Sequence, residues 1–141
     1  MVKKPISQVE LSFVIPACDE EGLIEAVLDT VDAVARNGRL RYEIVVVDDG
    51  SRDLTFEKAT AYAKRNSHVK VLSYAANMGK GYALKTGFMQ AAGVLVVFAD
   101  GDCEVDLHTI WRYLAALEHG DIVIASKRHP DSHVEVPLAR K

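Results

Sequence analysis

Two carboxylates separated by one small residue follow an apolar run of the chain. They belong to Asp100 and Asp102, which flank Gly101, and Glu104 is near enough in sequence to add another oxygen. Mg²⁺ is typically held in proteins by one or two carboxylates together with phosphate oxygens and water. Asp100, Asp102 and Glu104 therefore predict a site for one hard divalent cation that also binds a substrate's phosphates. A solvated acidic turn is the alternative interpretation.

A second acidic pair, Asp48 and Asp49, follows the β-branched run at residues 44–47. One of these carboxylates could accept hydrogen bonds from a nucleobase or a ribose hydroxyl, as acidic residues do in dinucleotide-binding folds. The alternative is a turn whose side chains cap the following helix. The pair is therefore a candidate nucleotide contact.

The segment at residues 77–81 combines asparagine, two glycines and a lysine before a helical pattern. It could be a loop and helix N-terminus whose backbone N–H groups attract an anion. A Walker P-loop is excluded, because Lys85 and Thr86 follow a leucine and the required spacing is absent. No G-x-G-x-x-G follows the first apolar run, so a dehydrogenase is disfavoured.

Alternating strand and helix patterns must position these residues. Strands are predicted at residues 11–15, 44–47, 69–72, 94–98 and 122–124. Helices are predicted from Glu20 to a stop at Gly38, from a cap at Ser51 or Asp53 to about Asn66, over residues 79–92, and from Leu107 to a stop at Gly120. Five strands alternating with four helices indicate an α/β fold with right-handed crossovers and a mainly parallel sheet.

Four polar segments follow predicted strands, at residues 16–21, 48–53, 100–104 and 126–129. In open parallel sheets, ligands bind in the crevice beyond the carboxyl ends of the strands. We therefore expect these four segments to converge on one edge of the sheet and to form a binding site there.

Composition limits the class of protein. The 141 residues suffice for one domain, at roughly 100–200 residues per domain. The net charge of −3 gives no basic surplus, so nucleic acid is not an expected partner. Two cysteines are too few for a disulfide scaffold or a zinc site. No apolar stretch is long enough to cross a bilayer, and we expect a soluble, cytoplasmic domain.

The motifs together resemble those of the family 2 glycosyltransferases with the GT-A fold, most closely the dolichol-phosphate or polyprenyl-phosphate mannose or glucose synthases. The matching stretches, in family order, are VIPACDEE at residues 14–21, VVDDGSRD at 46–53, NMGKGYA at 77–83 and FADGD at 98–102. Residues 126–128 also look like the family's donor-diphosphate loop. The family usually has an aromatic residue and then asparagine where this chain has Cys18 and Asp19.

The resemblance implies a three-layer, Rossmann-like GT-A domain over residues 1–141 and a role for each matched residue. The residues expected to bind the nucleotide sugar are Pro16, Ala17, Glu20, Asp48, Asp49, Lys80, Asp100 and Arg128. Those expected to hold Mg²⁺ or Mn²⁺ are Asp100, Asp102 and Glu104, and those expected to act in catalysis are Asp102 and Arg128. Lys80 and Arg128 would meet phosphate oxygens.

The function implied by the resemblance is a metal-dependent, inverting transfer of mannose or glucose. The donor would be a GDP-sugar or UDP-sugar, and the acceptor a polyprenyl phosphate at the cytoplasmic face of a membrane. A lipid phosphate is already anionic near neutral pH and needs no general base, whereas a sugar hydroxyl does. No third carboxylate is marked as a base, which mildly favours the lipid phosphate.

Three alternatives stay open at this point. The first is a family 2 transferase that builds a polysaccharide or glycolipid from another UDP-sugar. The second is a phosphoacceptor signalling domain, since such domains also gather acidic residues around Mg²⁺ at strand ends. The third is a nucleotide-sugar-binding module without catalysis. Resembling transferases continue past this length with an acceptor-side part, so we expect donor binding with weak or absent transfer by this chain.

Overall fold

A sheet of four parallel strands organises the fold in the computed structural model, which describes residues 9–100 and 109–125. The strands are β1 (Leu11–Ala17), β2 (Tyr42–Asp48), β3 (Val69–Ser73) and β4 (Leu95–Phe98). Their spatial order is β3-β2-β1-β4, and every neighbouring pair is parallel. β1 and β2 lie at the centre and are almost wholly buried. Burial on both faces explains why these strands are continuous apolar runs.

Three helices cover the two faces of this sheet. They are α1 (Ile24–Asn37), α2 (Thr55–Arg65) and α3 (Lys80–Gln90). α3 packs on the face that presents Val14, Val45 and Val47. α1 and α2 contact each other and cover the opposite face, towards which alternate strand residues such as Phe13 and Ile15 point. The result is the predicted three-layer α/β arrangement.

A second compact unit contains the described residues 109–125. Its described part contains helix α4 (Ile110–Ala116) and a 3₁₀ turn (Leu117–His119) that ends just before Gly120, the predicted stop. Across both units, the described helices are all too short or too polar to cross a membrane.

The predicted fifth strand at residues 122–124 is wrong for this structure. These residues join no β-ladder, and the side chains of Ile122 and Ile124 are 80% and 81% exposed. β-Branched residues favour extended backbone, but a strand forms only where a partner completes the ladder of hydrogen bonds. The sheet of the described residues therefore has four strands rather than five.

The first helix begins four residues later than predicted, at Ile24 rather than Glu20. The intervening residues form a turn in which the N–H groups of Leu23 and Ile24 both donate to the carbonyl of Glu20, at 2.9 and 3.0 Å. The N–H of Glu20 donates to Thr55 Oγ1 at 2.8 Å, and the N–H of Glu21 donates to Asp53 Oδ2 at 3.0 Å. These two bonds tie the turn to Asp53 and to the first residue of α2.

Small residues let α3 approach the sheet closely. Ala83 and Gly87, one turn apart on this helix, are both buried against β1 and β2. A Cβ atom built on Gly87 would overlap Val14 Cγ1 and would lie 3.1 Å from Val47 Cγ2. The close approach of α3 to the sheet therefore requires glycine at position 87.

We expect Gly87→Ala to lower the free energy of unfolding by about 1–3 kcal/mol, because the added methyl group overpacks the contact with Val14. Gly81→Ala, in the same helix, is the matched control, because a Cβ at Gly81 meets nothing within 4 Å. This control should be neutral or more stable by up to about 1 kcal/mol, since alanine favours helix. Urea denaturation of both variants measures the difference, and equal stabilities would contradict the packing argument.

Candidate functional site

An open cleft of about 390 Å³ lies at the carboxyl ends of the strands, within the size range of small-molecule sites. It is lined by Pro16, Ala17, Cys18, Glu20, Asp49, Asn77, Gly79, Lys80 and Asp100. These residues come from the end of β1, from the segments that follow the four strands, and from the start of α3. Three of the four predicted segments thus meet at one edge, and the fourth, at residues 126–129, lies outside the described residues.

The loop after β1 is bound to the loop after β2 by hydrogen bonds in both directions. The N–H of Asp19 donates to Ser51 Oγ at 3.0 Å, and the N–H of Arg52 donates to Asp19 Oδ1 at 2.7 Å. Asp53, one of the two predicted caps, accepts the N–H of Thr55 at the start of α2. The β1 side of the cleft is therefore fixed by side chains of the β2 side.

Asp49 connects these two loops to a third. Its buried carboxylate accepts the N–H of Met78 at Oδ1 (2.8 Å) and the N–H of Gly79 at Oδ2 (2.9 Å), just before α3. Its own N–H donates to the carbonyl of Ala17 at 2.8 Å. The positive end of the α3 dipole stabilises a carboxylate in this place. Two of the N–H groups predicted to attract an external anion, those of Met78 and Gly79, thus already bind the protein's own Asp49.

Gly50 allows the loop after β3 to pass close to the loop after β2. Its φ is +67°, and a Cβ atom there would lie 2.6 Å from the backbone nitrogen of Asn77 and 2.7 Å from the carbonyl carbon of Ala76. Both the left-handed backbone and the close contact require glycine. The VVDDGS motif therefore has a structural role in addition to any contact with ligand.

Asp48 points to the other face of the sheet from Asp49. Only 2% of the residue is exposed, and it is not among the residues that line the cleft. Asp48 Oδ2 accepts a hydrogen bond from Ser73 Oγ at 2.8 Å, and Oδ1 has no hydrogen-bond partner among the described residues. Its contact with a nucleotide stays a prediction, whereas Asp49 reaches the cleft directly.

Cys18 and Asn77 join opposite sides of the cleft. Asn77 Nδ2 donates to Cys18 Sγ at 3.0 Å, and Asn77 Oδ1 accepts the N–H of Gly79 at 3.1 Å. Burial, together with the carboxylates of Asp19, Asp49 and Asp48, raises the pKa of Cys18, although the Asn77 hydrogen bond acts to lower it. The thiol is therefore neutral at neutral pH, and no aromatic ring stands among the described lining residues.

Lys80 and Asp100 form an ion pair across the cleft. Lys80 Nζ lies 2.6 Å from Asp100 Oδ1, and the two side chains are 59% and 47% exposed. Lys80 is the first residue of α3, and Asp100 follows β4. The described lining residues carry three carboxylates, from Glu20, Asp49 and Asp100, and one ammonium group. The cleft is therefore acidic before any ligand enters it.

Of the three predicted metal ligands, Asp100 lies among the described residues, whereas Asp102 and Glu104 lie outside them. Arg128, predicted to act in catalysis, also lies outside them. Nowhere in residues 9–100 and 109–125 do three His, Cys, Asp or Glu side chains come together as a metal site would need. The Asp100 carboxylate nevertheless suits a hard cation: its oxygens face the cleft, are half-exposed and already attract a positive charge. Coordination by all three residues stays a prediction.

Of the predicted binding residues, Pro16, Ala17, Glu20, Asp49, Lys80 and Asp100 line the cleft. The predicted set did not include three other lining residues: Cys18, Asn77 and Gly79. The available signal was local: asparagine two residues before a glycine, directly before a helix, is typical of a side chain that organises the turn.

Comparisons with known proteins agree with this geometry. A family model described as Glycosyl transferase family 2 matches residues 12–139. A dolichyl-phosphate beta-glucosyltransferase of Trichomonas vaginalis is 34% identical over 134 residues, which cover 87% of this chain and 40% of that protein. An undecaprenyl-phosphate 4-deoxy-4-formamido-L-arabinose transferase of Yersinia pestis is 33% identical over 128 residues, covering 90% of this chain and 38% of that protein.

A solved structure is similar over most of the same region. It is a mannosyltransferase from Pyrobaculum calidifontis in complex with GDP-Man and Mn²⁺. The TM-score is 0.66 at 26% sequence identity, and the match covers 81% of this chain and 34% of that one. The chain thus spans less than half the length of each of these three proteins.

We expect Gly50→Ala to lower the free energy of unfolding by about 2–4 kcal/mol, because the substitution combines left-handed strain with a backbone clash. Gly22→Ala, in the neighbouring loop, is the control, because a Cβ there meets nothing within 4 Å. The control should change stability by less than about 0.5 kcal/mol. Chemical denaturation of both variants tests this, and a Gly50→Ala protein as stable as the control would contradict the described loop contact.

Proposed function

Because the chain belongs to glycosyl transferase family 2, we propose that its cleft binds a nucleoside-diphosphate hexose, and that the whole protein transfers the sugar to a polyprenyl phosphate. The predicted family and GT-A fold are confirmed by the family match and by the structural similarity. The observation that carries the proposal is the cleft at the strand ends, lined by the residues that the motifs supply. The signalling-domain alternative is left without support.

The acceptor class is supported by two relatives that differ in their sugar. One is named for dolichyl phosphate and glucose, and the other for undecaprenyl phosphate and a modified arabinose. The lipid phosphate is what the two names share. For this protein we propose glucose or mannose as the sugar and GDP or UDP as the nucleotide. A polyprenyl phosphate is anchored in a bilayer, so the acceptor would be met at a membrane surface, which we propose is the cytoplasmic one.

The proposed reaction is a single displacement at the anomeric carbon of the sugar. A phosphate oxygen of the acceptor forms the new bond as the bond to the nucleoside diphosphate breaks, which inverts the configuration. The acceptor is already anionic, so no side chain has to remove a proton from it. What the protein must do is to align the two substrates and to stabilise the charge that builds on the leaving diphosphate.

Some of the lining residues are proposed to bind the nucleoside, and others to bind the charged diphosphate. The carboxylates of Glu20 and Asp49 are proposed to accept hydrogen bonds from hydroxyl or N–H groups of the nucleoside. Pro16 and Ala17 line the same part of the cleft. Lys80 offers its ammonium group to the diphosphate, and Arg128 is proposed to act with it. These contacts fix the donor while the acceptor approaches from the open side of the cleft.

Asp100 would hold Mg²⁺ or Mn²⁺, with Asp102 and Glu104 as further ligands. When bound, such a cation supplies positive charge against the leaving diphosphate. Asp102 and Arg128 remain the proposed catalytic residues on the ground of the motif. The chain spans less than half the length of the relatives reported above. The experiment on this chain therefore measures donor binding rather than transfer.

We expect GDP or UDP to bind the chain more tightly in the presence of Mn²⁺, as measured by isothermal titration calorimetry. Asp100→Asn should weaken this metal-supported binding by on the order of tenfold or more, because it removes a metal ligand. Glu57→Gln, at an exposed position in the first turn of α2, neutralises a carboxylate away from the cleft and should bind as wild type does. Failure of both nucleotides to bind wild type, or unchanged binding by Asp100→Asn, would contradict the proposal.

A further inference from the structure

The ion pair between Lys80 and Asp100 brings together the two groups on which the proposed function depends most. Lys80 is the one cationic side chain among the described lining residues, and Asp100 is the one described member of the predicted metal site. Their charged atoms, Lys80 Nζ and Asp100 Oδ1, are 2.6 Å apart, so each charge partly neutralises the other. In the donor-free protein this contact competes with the ligand of each group.

Because the cleft is acidic, this contact affects the binding of both the diphosphate and the cation. With three carboxylates and one ammonium group, the described lining repels a diphosphate that enters alone. The ammonium group that could attract the diphosphate is held by Asp100. A divalent cation that enters alone meets the opposite problem, because the Asp100 oxygen is already shielded by a positive charge.

The backbone around Lys80 is fixed, but its side chain is not. Asp49 binds the N–H groups of Met78 and Gly79, and Asn77 binds the N–H of Gly79 a second time. Beyond this anchored turn, the lysine side chain is 59% exposed and has a flexible four-carbon stem. Lys80 can therefore exchange partners by side-chain rotation, without any movement of α3.

We propose that Lys80 exchanges partners when the cleft is loaded, leaving Asp100 for the diphosphate and so freeing an Asp100 oxygen for a divalent cation. The inference rests on the proposed function, since it takes a diphosphate and a cation as the ligands of this cleft. Either ligand alone competes with the ion pair, whereas the two together displace it only once. Binding of each therefore strengthens binding of the other by the same factor, as linkage requires.

This exchange gives Lys80 a role that differs from simple attraction of phosphate. A lysine that only attracted the diphosphate would still repel a cation through space, so its removal would raise the affinity for the free cation whether or not Asp100 is present. A lysine that occupies Asp100 lowers that affinity through the Asp100 carboxylate, so its removal raises the affinity only while Asp100 is present. The dependence of the gain on Asp100 separates the two roles.

The test is the affinity for Mn²⁺ alone, measured by electron paramagnetic resonance of the free ion. We expect Lys80→Met to bind Mn²⁺ roughly fivefold more tightly than wild type, which is the upper size of an exposed ion pair. Lys80→Gln, a second neutral variant, should reproduce this gain. Lys85→Met, which removes an exposed lysine of the same helix that does not line the cleft, should bind Mn²⁺ as wild type does.

Two further measurements make the assignment specific. The gain in Mn²⁺ affinity should disappear when Lys80→Met is combined with Asp100→Asn, because the freed oxygen is then absent. The factor by which Mn²⁺ strengthens binding of GDP or UDP should fall by roughly the same fivefold in Lys80→Met. Far-UV circular dichroism checks that each variant is folded.

The proposal is overturned if Lys80→Met and Lys80→Gln bind Mn²⁺ no more tightly than wild type, or if the double variant keeps the gain. Its failure can be told apart from failure of the proposed function. If neither GDP nor UDP binds wild type, the proposed function fails, whereas the experiments with Mn²⁺ alone still decide whether Lys80 occupies a cation site on Asp100.

Discussion

The two hydrogen bonds from the backbone before α3 to the Asp49 carboxylate hold the cleft together. Asp49 is only 3% exposed, and a buried carboxylate is stable only where donors surround it; the N–H groups of Met78 and Gly79 at the positive end of a helix are such donors. The N–H of Asp49 continues the connection to Ala17 at the end of β1. Through this one residue the loops after three strands keep a common geometry, and Lys80 takes its place at the start of α3.

The central part of the fold is predictable from the sequence because its signals are local. The mainly apolar runs at residues 11–15 and 44–47 are typical of strands that are buried on both faces, and both lie within observed strands. The run at residues 69–72, interrupted by Lys70, lies within the edge strand β3, which is only partly buried. The run at residues 122–124 is apolar as well, but a strand also needs a neighbour in space, which composition does not encode. The helix α1 begins four residues later than predicted, because the residues before it form a turn that is tied to Asp53 and Thr55, and contacts so distant in sequence leave no local pattern.

The candidate site was predictable as a location but not residue by residue. Parallel topology places the ends of all strands at one edge, so the convergence of the polar segments follows from the strand pattern alone. Which of Asp48 and Asp49 enters the cleft depends on the strand register, because successive side chains point to opposite faces. The bond between Asn77 and Gly79 is local to its turn, whereas the bond from Asn77 to Cys18 depends on the close approach of two loops that are distant in sequence, which no local pattern shows.

In place of the aromatic residue that the resembled family usually has, position 18 is a cysteine, whose neutral thiol is bound to Asn77. The proposed nucleotide therefore cannot stack on an aromatic ring at this position, while the acidic lining repels its diphosphate. The proposed binding then depends more on positive charge, which among the described lining residues is on Lys80. A lysine with this task gains from being held close to the site before the donor arrives, and its contact with Asp100 holds it there.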